Sequence, residues 1–265
     1  RIGSVDSWSE SSATAIVPRQ AGKYIRLKGP GGGVSNRIRA TAWQKRKSVP
    51  SHVTEAAAAA NGQRFFLLGG LKGGFSKLDA SSGAWSYSPE EKAWQEVAPM
   101  PGRRYSHAAA AAGGFVYVLG GKDELGSSRG TAWRYDPGSN SWSEDPFWLP
   151  HPLSGHQAVS LNGTLYVLGG RTPSIGPSAA VYSYDPDNGA WTERASMLDK
   201  REVFGAVALK GRIYACGGSS GQGRTASCEV YDPRKHSWSY LSDMPQALLG
   251  FGITTDGDEI FLLGG

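Results

Sequence analysis

Residues 107–142 read HAAAAAGGFVYVLGGKDELGSSRGTAWRYDPGSNSW, and this stretch decides the fold. The apolar run at 115–119 is short and rich in β-forming residues, which is typical of a strand buried on both faces. The two glycines after it allow positive φ angles and a close approach of backbones where that strand ends. The Asp-Pro further along favours a tight turn. We therefore predict that Tyr135 and Trp142, which flank this turn, lie on two antiparallel strands.

The same pattern recurs along the chain. Glycine pairs are spaced by 51, 49, 48 and 47 residues, and a tryptophan series keeps step with spacings of 51, 48, 49 and 47. A tyrosine stands seven residues before four of these tryptophans. The glycine pairs begin at Gly69, Gly120, Gly169, Gly217 and Gly264, the tryptophans are Trp43, Trp94, Trp142, Trp191 and Trp238, and the tyrosines are Tyr87, Tyr135, Tyr184 and Tyr231. These three landmarks define a repeat of about 50 residues.

Each repeat is predicted to form a four-stranded antiparallel sheet. Strand b ends in the glycine pair, strand c carries the tyrosine, strand d carries the tryptophan, and strand a precedes them. The alanine runs within 55–62 and 107–114 favour a helix by propensity alone. However, they align with the alternating segments 156–163 and 204–211, so we predict that they form strand a.

Four strands in a repeat of this length, with the Gly-Gly, Tyr-Asp-Pro and Trp series, resemble the kelch repeat. The sequence has no Trp-Asp dipeptide, and its period is longer than that of WD repeats. The resemblance covers about residues 41–265 and is strongest in four units, at 52–98, 104–148, 153–196 and 203–243. It implies that residues 1–265 form a single all-β domain, a kelch β-propeller with four-stranded blades.

Closure of the ring is expected to involve the N-terminus. Residues 249–265 contain only strands a and b of a further blade, and an open ring leaves sheet edges exposed. The motif D-S-W-S-E at 6–10 resembles N-S-W-S-E at 140–144, so residues 1–11 are predicted as the strand that closes this blade.

The number of blades depends on Trp8. With Trp8 on a closing strand, residues 12–45 form a degenerate blade and the ring has six blades. The spacing from Trp8 to Trp43 is only 35 residues, however. In the alternative, Trp43 alone completes the composite blade, residues 1–30 are an arm, and the ring has five blades.

Charge, apolar content and cysteine count make several classes of protein unfavourable. The 265 residues carry a net charge of +5, and the basic residues are scattered, so nucleic acid is not favoured as a partner. No run approaches the roughly 18–20 apolar residues that span a bilayer, and no membrane partner is expected. The two cysteines, Cys216 and Cys228, are too few for a disulfide-built scaffold. We expect buried free thiols and a cytoplasmic, possible cytoskeletal, setting.

No catalytic, metal or cofactor constellation is predicted. His107 and His156 begin successive copies of strand a, but neighbouring blades splay such positions around a ring, so a structural or loop-facing role is favoured over metal binding. The glycines at 29–33 lack the Lys-Ser/Thr of a phosphate loop. Kelch-like folds include copper oxidases of the galactose oxidase type and sialic acid isomerases. The chain offers no set that matches the oxidases, and an enzyme is the less favoured interpretation.

The favoured hypothesis is a protein–protein interaction module. In the kelch domains that this chain resembles, partner peptides dock on the face formed by the b–c loops and the d–a connections. Basic residues dominate these loops, which predicts an acidic or phosphorylated peptide as ligand. The alternatives are that the basic chains only solvate the loops or brace neighbouring blades. The predicted partner-binding residues are Lys72, Arg103, Arg104, Tyr105, Lys122, Glu124, Arg171, Lys200, Arg201 and Arg224.

The resemblance implies two kinds of role for such a module. One is a substrate-receptor domain of a ubiquitin-ligase adaptor, which would need a BTB-type region outside this chain. The other is a scaffold or cytoskeleton-associated protein.

Overall fold

The computed structural model describes residues 47–72, 79–143 and 148–265. All regular secondary structure in these residues is β. No helix in the described residues is long and apolar enough to cross a membrane. The predicted closing strand at 1–11 and the predicted degenerate blade at 12–45 lie outside these residues.

Four antiparallel sheets of four strands each follow one another along the chain, which confirms the predicted strand order a–b–c–d. The first contains β2 (Ala57–Ala60), β3 (Phe65–Leu68), β6 (Ala84–Ser88) and β7 (Ala93–Glu96). The second contains β8 (Ala108–Ala112), β9 (Phe115–Leu119), β10 (Ala132–Asp136) and β11 (Ser141–Ser143). The third contains β12 (Gln157–Leu161), β13 (Thr164–Leu168), β16 (Val181–Asp185) and β17 (Ala190–Arg194). The fourth contains β18 (Gly205–Leu209), β19 (Arg212–Cys216), β20 (Cys228–Asp232) and β21 (Ser237–Tyr240).

Shorter strands complete the described structure. A hairpin of β22 (Gly252–Thr255) and β23 (Ile260–Leu263) lies where the sequence predicts two inner strands. In the loops, β1 (Val53–Thr54), β4 (Leu71–Lys72) and β5 (Asp79–Ala80) form one small sheet, and β14 (Arg171–Thr172) pairs with β15 (Gly176–Pro177).

The alanine runs are strands, as the register of the repeat predicted. β2 and β8 each pair with strand b of their own sheet. The a strands also lie side by side, because β8 contacts both β2 and β12, β12 contacts β18, and β18 contacts β22. Most of these alanines are buried. Small side chains suit this position because four successive sheets converge there.

The tyrosine and tryptophan of each repeat face each other across strands c and d. Tyr135 is the direct cross-strand partner of Trp142, and their ring centroids are 5.1 Å apart. The other three sheets repeat this pair at 5.0–5.2 Å. The ring of Tyr135 also contacts Phe66 of the preceding sheet, at 5.9 Å between centroids. The aromatic series therefore joins neighbouring sheets as well as neighbouring strands, as predicted.

Tryptophan side chains also make hydrogen bonds between sheets. Trp142 Nε1 donates to the carbonyl of Ala98, which follows the first sheet, at 2.8 Å. Trp238 Nε1 donates at the same distance to the carbonyl of Ala195, which follows the third sheet. In each case the indole of strand d binds the backbone that leaves the preceding sheet.

A chain of backbone hydrogen bonds runs across the successive d–a connections and the start of the first sheet. Ser106 N–H donates to Glu55 C=O, Gly155 to Ser106, Val203 to Gly155, and Gly250 to Val203, at 2.8–3.0 Å. All five residues have φ between 50° and 68°. This left-handed conformation is unfavourable for a β-branched residue such as Val203. Its recurrence at equivalent positions indicates that the inter-sheet hydrogen bond requires it.

The two cysteines form a disulfide, which corrects the expectation of free thiols. Cys216 ends β19 and Cys228 begins β20, and the two residues are direct cross-strand partners with Cα atoms 4.2 Å apart. The positions at the end of strand b and the start of strand c were read correctly from the sequence. Strand position does not determine whether a cysteine is oxidised. Because the two cysteines are joined, the inference of a reducing, cytoplasmic setting from free thiols loses its support.

Candidate partner-binding face

The b–c loops and the d–a connections lie together at one end of the sheets. In an antiparallel four-stranded sheet, the a–b and c–d turns occupy the opposite end. Backbone bridges join each d–a connection to the b–c loop of the following sheet. These bridges pair Tyr105 with Lys122, Ser154 with Arg171, and Glu202 with Ser219. We call this end the loop face; its described residues are 69–72, 79–83, 120–131, 169–180 and 217–227 of the b–c loops and 97–107, 148–156, 195–204 and 241–251 of the d–a connections.

Seven of the ten predicted residues are at least partly exposed on the loop face. Lys122 is half-buried, with its Nζ 6.0 Å from the ring centroid of Tyr105. Arg103 lies 4.0 Å from Asp79, and both side chains are well exposed, so this contact is weak. The exposed members are Lys72, Arg103, Glu124, Arg171, Lys200 and Arg224.

Arg201 and Tyr105 are buried, contrary to the expectation that they contact a partner directly. The Arg201 side chain is 0% exposed. Tyr105 is 5% exposed and packs with Leu71 and Ala80 in a small apolar cluster. The sequence places both residues in loops, but these loops fold back on the sheets and form part of the core.

Arg201 braces the junction between the third and fourth sheets. Its Nε donates to Glu229 Oε1 at 2.9 Å, and Glu229 is equally buried. Its two terminal nitrogens donate to Asp199, to the Ser227 hydroxyl and carbonyl, and to the Gly217 carbonyl, at 2.7–3.1 Å. A guanidinium has five N–H donors, and all five are satisfied here. This is the bracing role that the sequence left open for some arginines.

Arg171 is exposed but already paired. Its Nε and one terminal nitrogen donate to the two carboxylate oxygens of Glu202, both at 2.6 Å. These hydrogen bonds raise the pKa of Arg171 above its usual value. The pair joins the b–c loop of the third sheet to the following d–a connection, so the charge of Arg171 is largely compensated.

A cleft of about 400 Å³ opens on the loop face, bordered by the b–c loop of the second sheet and the d–a connections before and after that sheet. Three predicted residues, Arg103, Arg104 and Glu124, line it together. Its other walls are Gly102, Asp123, Arg129, Thr131 and Trp148. Trp148 is 58% exposed.

Arg104 is 7% exposed and lies on the inner side of this cleft. Its guanidinium carbon stands 4.4 Å from the ring centroid of Trp133. One terminal nitrogen donates to the carbonyl of Arg103 at 2.7 Å, and the other to the hydroxyl of Thr131 at 2.8 Å. Its Nε is buried and has no hydrogen-bond partner among the described residues.

The charges around Arg104 do not neutralise it by a direct contact. Burial lowers the pKa of Arg104, and the nearby Arg129 acts in the same direction, while Asp123 and Glu124 oppose them. Asp123 is engaged elsewhere: it accepts hydrogen bonds from Arg129 and from the backbone N–H groups of Leu125 and Ser127. Burial by itself would raise the pKa of Asp123, but these hydrogen bonds outweigh it and hold the pKa below its usual value.

His107 and His156 are packing residues at the sheet junctions. A Cβ placed on Gly69 would lie 2.7 Å from the His107 ring, and one placed on Gly121 would lie 2.5 Å from His107 Cβ. Only glycine leaves space for this ring between the two sheets. Phenylalanine occupies the equivalent position in the fourth sheet, where Phe204 packs in the same way against Gly218. Interchange with Phe indicates that the ring fills space at this position.

Trp148, Trp133 and Gly102 are the features of the cleft that the sequence analysis missed. A signal was present for Trp148, which falls outside the tryptophan series that marks strand d, whereas Trp133, like Trp85, stands two residues before the tyrosine of strand c. A large aromatic ring that the repeat does not require is a candidate for a specific role. Gly102 gave no signal, because single glycines are common in such connections.

Comparison with known proteins supports the resemblance found in the repeat. Residues 106–265 match the model of the KLHDC2/KLHL20/DRC7 Kelch-repeats domain, and residues 53–101 match the Kelch motif. Kelch-like protein 36 of Bos taurus is 32% identical over 192 residues, which covers 71% of this chain and 23% of that protein. Kelch-like protein 41b of Danio rerio is 28% identical over 205 residues, which covers 76% of this chain and 34% of that protein.

This chain therefore spans about a quarter to a third of the length of these relatives. Among solved structures, that of YjhT superposes with a TM-score of 0.67 at 19% identity, and covers 80% of this chain and 72% of the other. At this level of identity the likeness concerns the fold.

Proposed function

Because this chain belongs to the kelch-repeat family, we propose that it is a non-enzymatic protein-interaction domain whose loop face binds a segment of a partner protein. In repeat folds the strands carry the packing, while the loops are free to carry recognition. The basic residues of the loop face, exposed Lys72, Lys200, Arg103 and Arg224 and half-buried Lys122, suit an acidic or phosphorylated segment.

The observation that carries the proposal is the cleft with Trp148 on its rim. Trp148 places a 58% exposed indole at the rim of this concave, charged surface. Trp and Arg are also the residues most enriched among those that dominate binding energy at protein interfaces. Here Arg103, Arg104 and Trp148 line one cavity.

Within this proposal, the chain serves as the substrate-receptor domain of a ubiquitin-ligase adaptor. A role as a scaffold or cytoskeleton-associated domain is the alternative. The two differ in what the rest of the protein contributes, and the loop face would bind its partner in the same way in both.

The proposal is tested by selecting phage-displayed random linear peptides on the folded domain. The triple variant Arg103→Glu, Lys200→Glu and Arg224→Glu reverses charge on the loop face at exposed positions. We expect it to weaken the selected peptides at least about tenfold, because complementary charges act on both association rate and affinity.

The control reverses charge at the opposite end of the same sheets. Arg234 and Lys235 are exposed in the turn between β20 and β21, so Arg234→Glu with Lys235→Glu changes the net charge without touching the loop face. Peptide affinities that respond equally to both variants, or to neither, contradict docking on the loop face.

A further inference from the structure

Two arginines of this chain occupy equivalent positions but have different surroundings. Arg104 and Arg201 each stand four residues after a buried methionine in a d–a connection. Both donate to a hydroxyl just before strand c of the following sheet, Thr131 for Arg104 and Ser227 for Arg201. The two junctions can therefore be compared residue by residue.

At the Arg201 junction, two carboxylates complete the site. Asp199, two residues before the arginine, accepts from it at 3.1 Å, and Glu229, two residues before the strand-c tyrosine, accepts at 2.9 Å. At the Arg104 junction the equivalent residues are Gly102 and Trp133. Both carboxylates are thus replaced by uncharged residues.

The replacement leaves Arg104 with two hydrogen bonds to described residues where Arg201 makes five. Stacking on Trp133 compensates part of the lost interaction, since a guanidinium is attracted to an indole face. Even so, a charged group that is nine-tenths buried is strongly destabilised without an ionic partner.

At the Arg104 junction, the position that corresponds to the Asp199 side chain borders both the cleft and the ring of Trp133. Gly102 lines the cleft, and a Cβ built on it would lie 3.5 Å from a terminal nitrogen of Arg104. A group that enters the cleft beside Gly102 therefore reaches the guanidinium.

The fold does not require an arginine at this position. The equivalent residues of the other two d–a connections are Leu153 and Leu248. Arg104 has neither the paired carboxylates of Arg201 nor the apolar character of these leucines. Its retention as a buried cation that no carboxylate of the described residues contacts directly is explained if a bound partner supplies the counter-ion.

Building on the proposed function, we propose that the cleft is a carboxylate subsite, in which an Asp or Glu side chain of the partner enters beside Gly102 and pairs with Arg104. Carboxylates fill the equivalent position around Arg201, which argues for this chemistry. A phosphate carries about −1.5 to −2 charges at neutral pH and would be repelled more strongly by the neighbouring Asp123 and Glu124. Trp148 provides an apolar rim for the residues that flank the acid.

Gly102→Asp tests the subsite, with Gly102→Asn as its matched control. The aspartate supplies an internal carboxylate where the equivalent Asp199 lies, whereas the asparagine has the same size and no charge. Both variants place a Cβ 3.1 Å from the ring of Trp133, so the steric effect on this ring is the same in the two variants. We expect the Tm of Gly102→Asp to exceed that of Gly102→Asn by about 2–4 °C. An equal or lower Tm would show that Arg104 is already compensated and would overturn the proposal.

The second readout uses the peptides selected on the wild-type domain. For peptides that depend on the loop face, we expect a required Asp or Glu whose change to Asn or Gln costs about 10–100-fold in affinity. In the Arg104→Leu variant, changing the Asp or Glu of the peptide should no longer reduce its affinity. Leucine is chosen because Leu153 occupies the equivalent position in the next d–a connection. Gly102→Asp should weaken the same peptides more than Gly102→Asn does.

The outcomes separate the subsite from the wider proposal. If binding of the peptides depends on the loop face but not on an Asp or Glu, the carboxylate subsite is overturned and the proposed function is not. The same holds if the contribution of that Asp or Glu to affinity is unchanged in the Arg104 and Gly102 variants. Replacement of the acid by phosphoserine with a tenfold gain that depends on Arg104 overturns the choice of a carboxylate. Peptides that ignore the loop face altogether overturn both proposals.

Discussion

Replacing Glu229 by Gln should strongly destabilise the domain. Glu229 and Arg201 are both 0% exposed, and Glu229 also accepts from the backbone N–H of Leu198 at 2.6 Å. Because both carboxylate oxygens accept, an amide must turn its NH2 group towards one of these donors. Arg201 also loses its only fully buried counter-ion among the described residues and keeps Asp199, whose side chain is 32% exposed.

The expected loss in the free energy of unfolding is about 3–5 kcal/mol, the usual cost of breaking a buried ion pair by removing one partner. For a domain of this size it corresponds to a fall in Tm of roughly 6–20 °C. Glu91→Gln is the matched control, because Glu91 is half exposed and lies 4.0 Å from Arg64. Its expected cost is below about 1 kcal/mol.

The assay is equilibrium unfolding in urea, followed by tryptophan fluorescence and supported by thermal melts. A double variant adds a second test: Arg201→Leu with Glu229→Tyr recreates the residues of the preceding junction, Leu153 and Tyr182. It should recover more than half of the stability that Arg201→Leu alone loses, since contacting residues are not additive. If Glu229→Gln melted within the error of Glu91→Gln, or the double variant were as unstable as the sum of its parts, the buried pair would not carry the junction.

Three further predictions concern the packing and the covalent bond between strands. Trp238→Ala should cost about 3–5 kcal/mol and Trp238→Phe about 1–2 kcal/mol, since Phe keeps an aromatic ring but loses the hydrogen bond to Ala195 and part of the indole packing; equal losses in urea unfolding would contradict the packing role of the ring. Burial lowers the pKa of His107 to about 3 and of His156 to about 4, so the unfolded chain binds protons at these sites below pH 6.5 and the folded chain does not. The free energy of unfolding therefore keeps this contribution above pH 6.5 and loses up to about 1.4 kcal/mol per pH unit per histidine as the pH falls towards 4. His156→Phe should reduce this slope in thermal melts recorded at a series of pH values. Reduction of the disulfide between Cys216 and Cys228, which are 12 residues apart, should cost about 2–4 kcal/mol, and the reductant should leave the Tm of the double Ala variant unchanged.

The periodic features of the fold could be predicted because the same local contacts recur in every unit. The Tyr and Trp of a unit are seven residues apart, and the strand register that this spacing implies places them opposite each other, as Tyr135 and Trp142 are. The alanine strand was predictable for the same reason, since alignment with its neighbours overrides its helix propensity.

The candidate site was less predictable because its properties depend on contacts between units. Arg104 and Arg201 look alike in sequence, and what separates them is whether a carboxylate stands on strand c of the next sheet, some 28 residues further along for Glu229. Exposure of a loop residue also depends on how the loop folds back, which is why the sequence predicts a surface position for Tyr105 although its side chain is buried. The disulfide depends on redox conditions as well as on strand register.

The hydrogen bonds that link Glu55 to Gly250 through Ser106, Gly155 and Val203 have a direction. Each later unit donates its N–H and each earlier unit accepts, so the series is polar: Glu55 uses its carbonyl within it and Gly250 uses its N–H. A unit that continues it must offer a carbonyl to the N–H of Glu55 on one side and an amide to the carbonyl of Gly250 on the other. A blade that entered with its chain reversed would bring donor against donor. This series of hydrogen bonds, just before the a strands, therefore selects the chain direction of any added unit by backbone polarity.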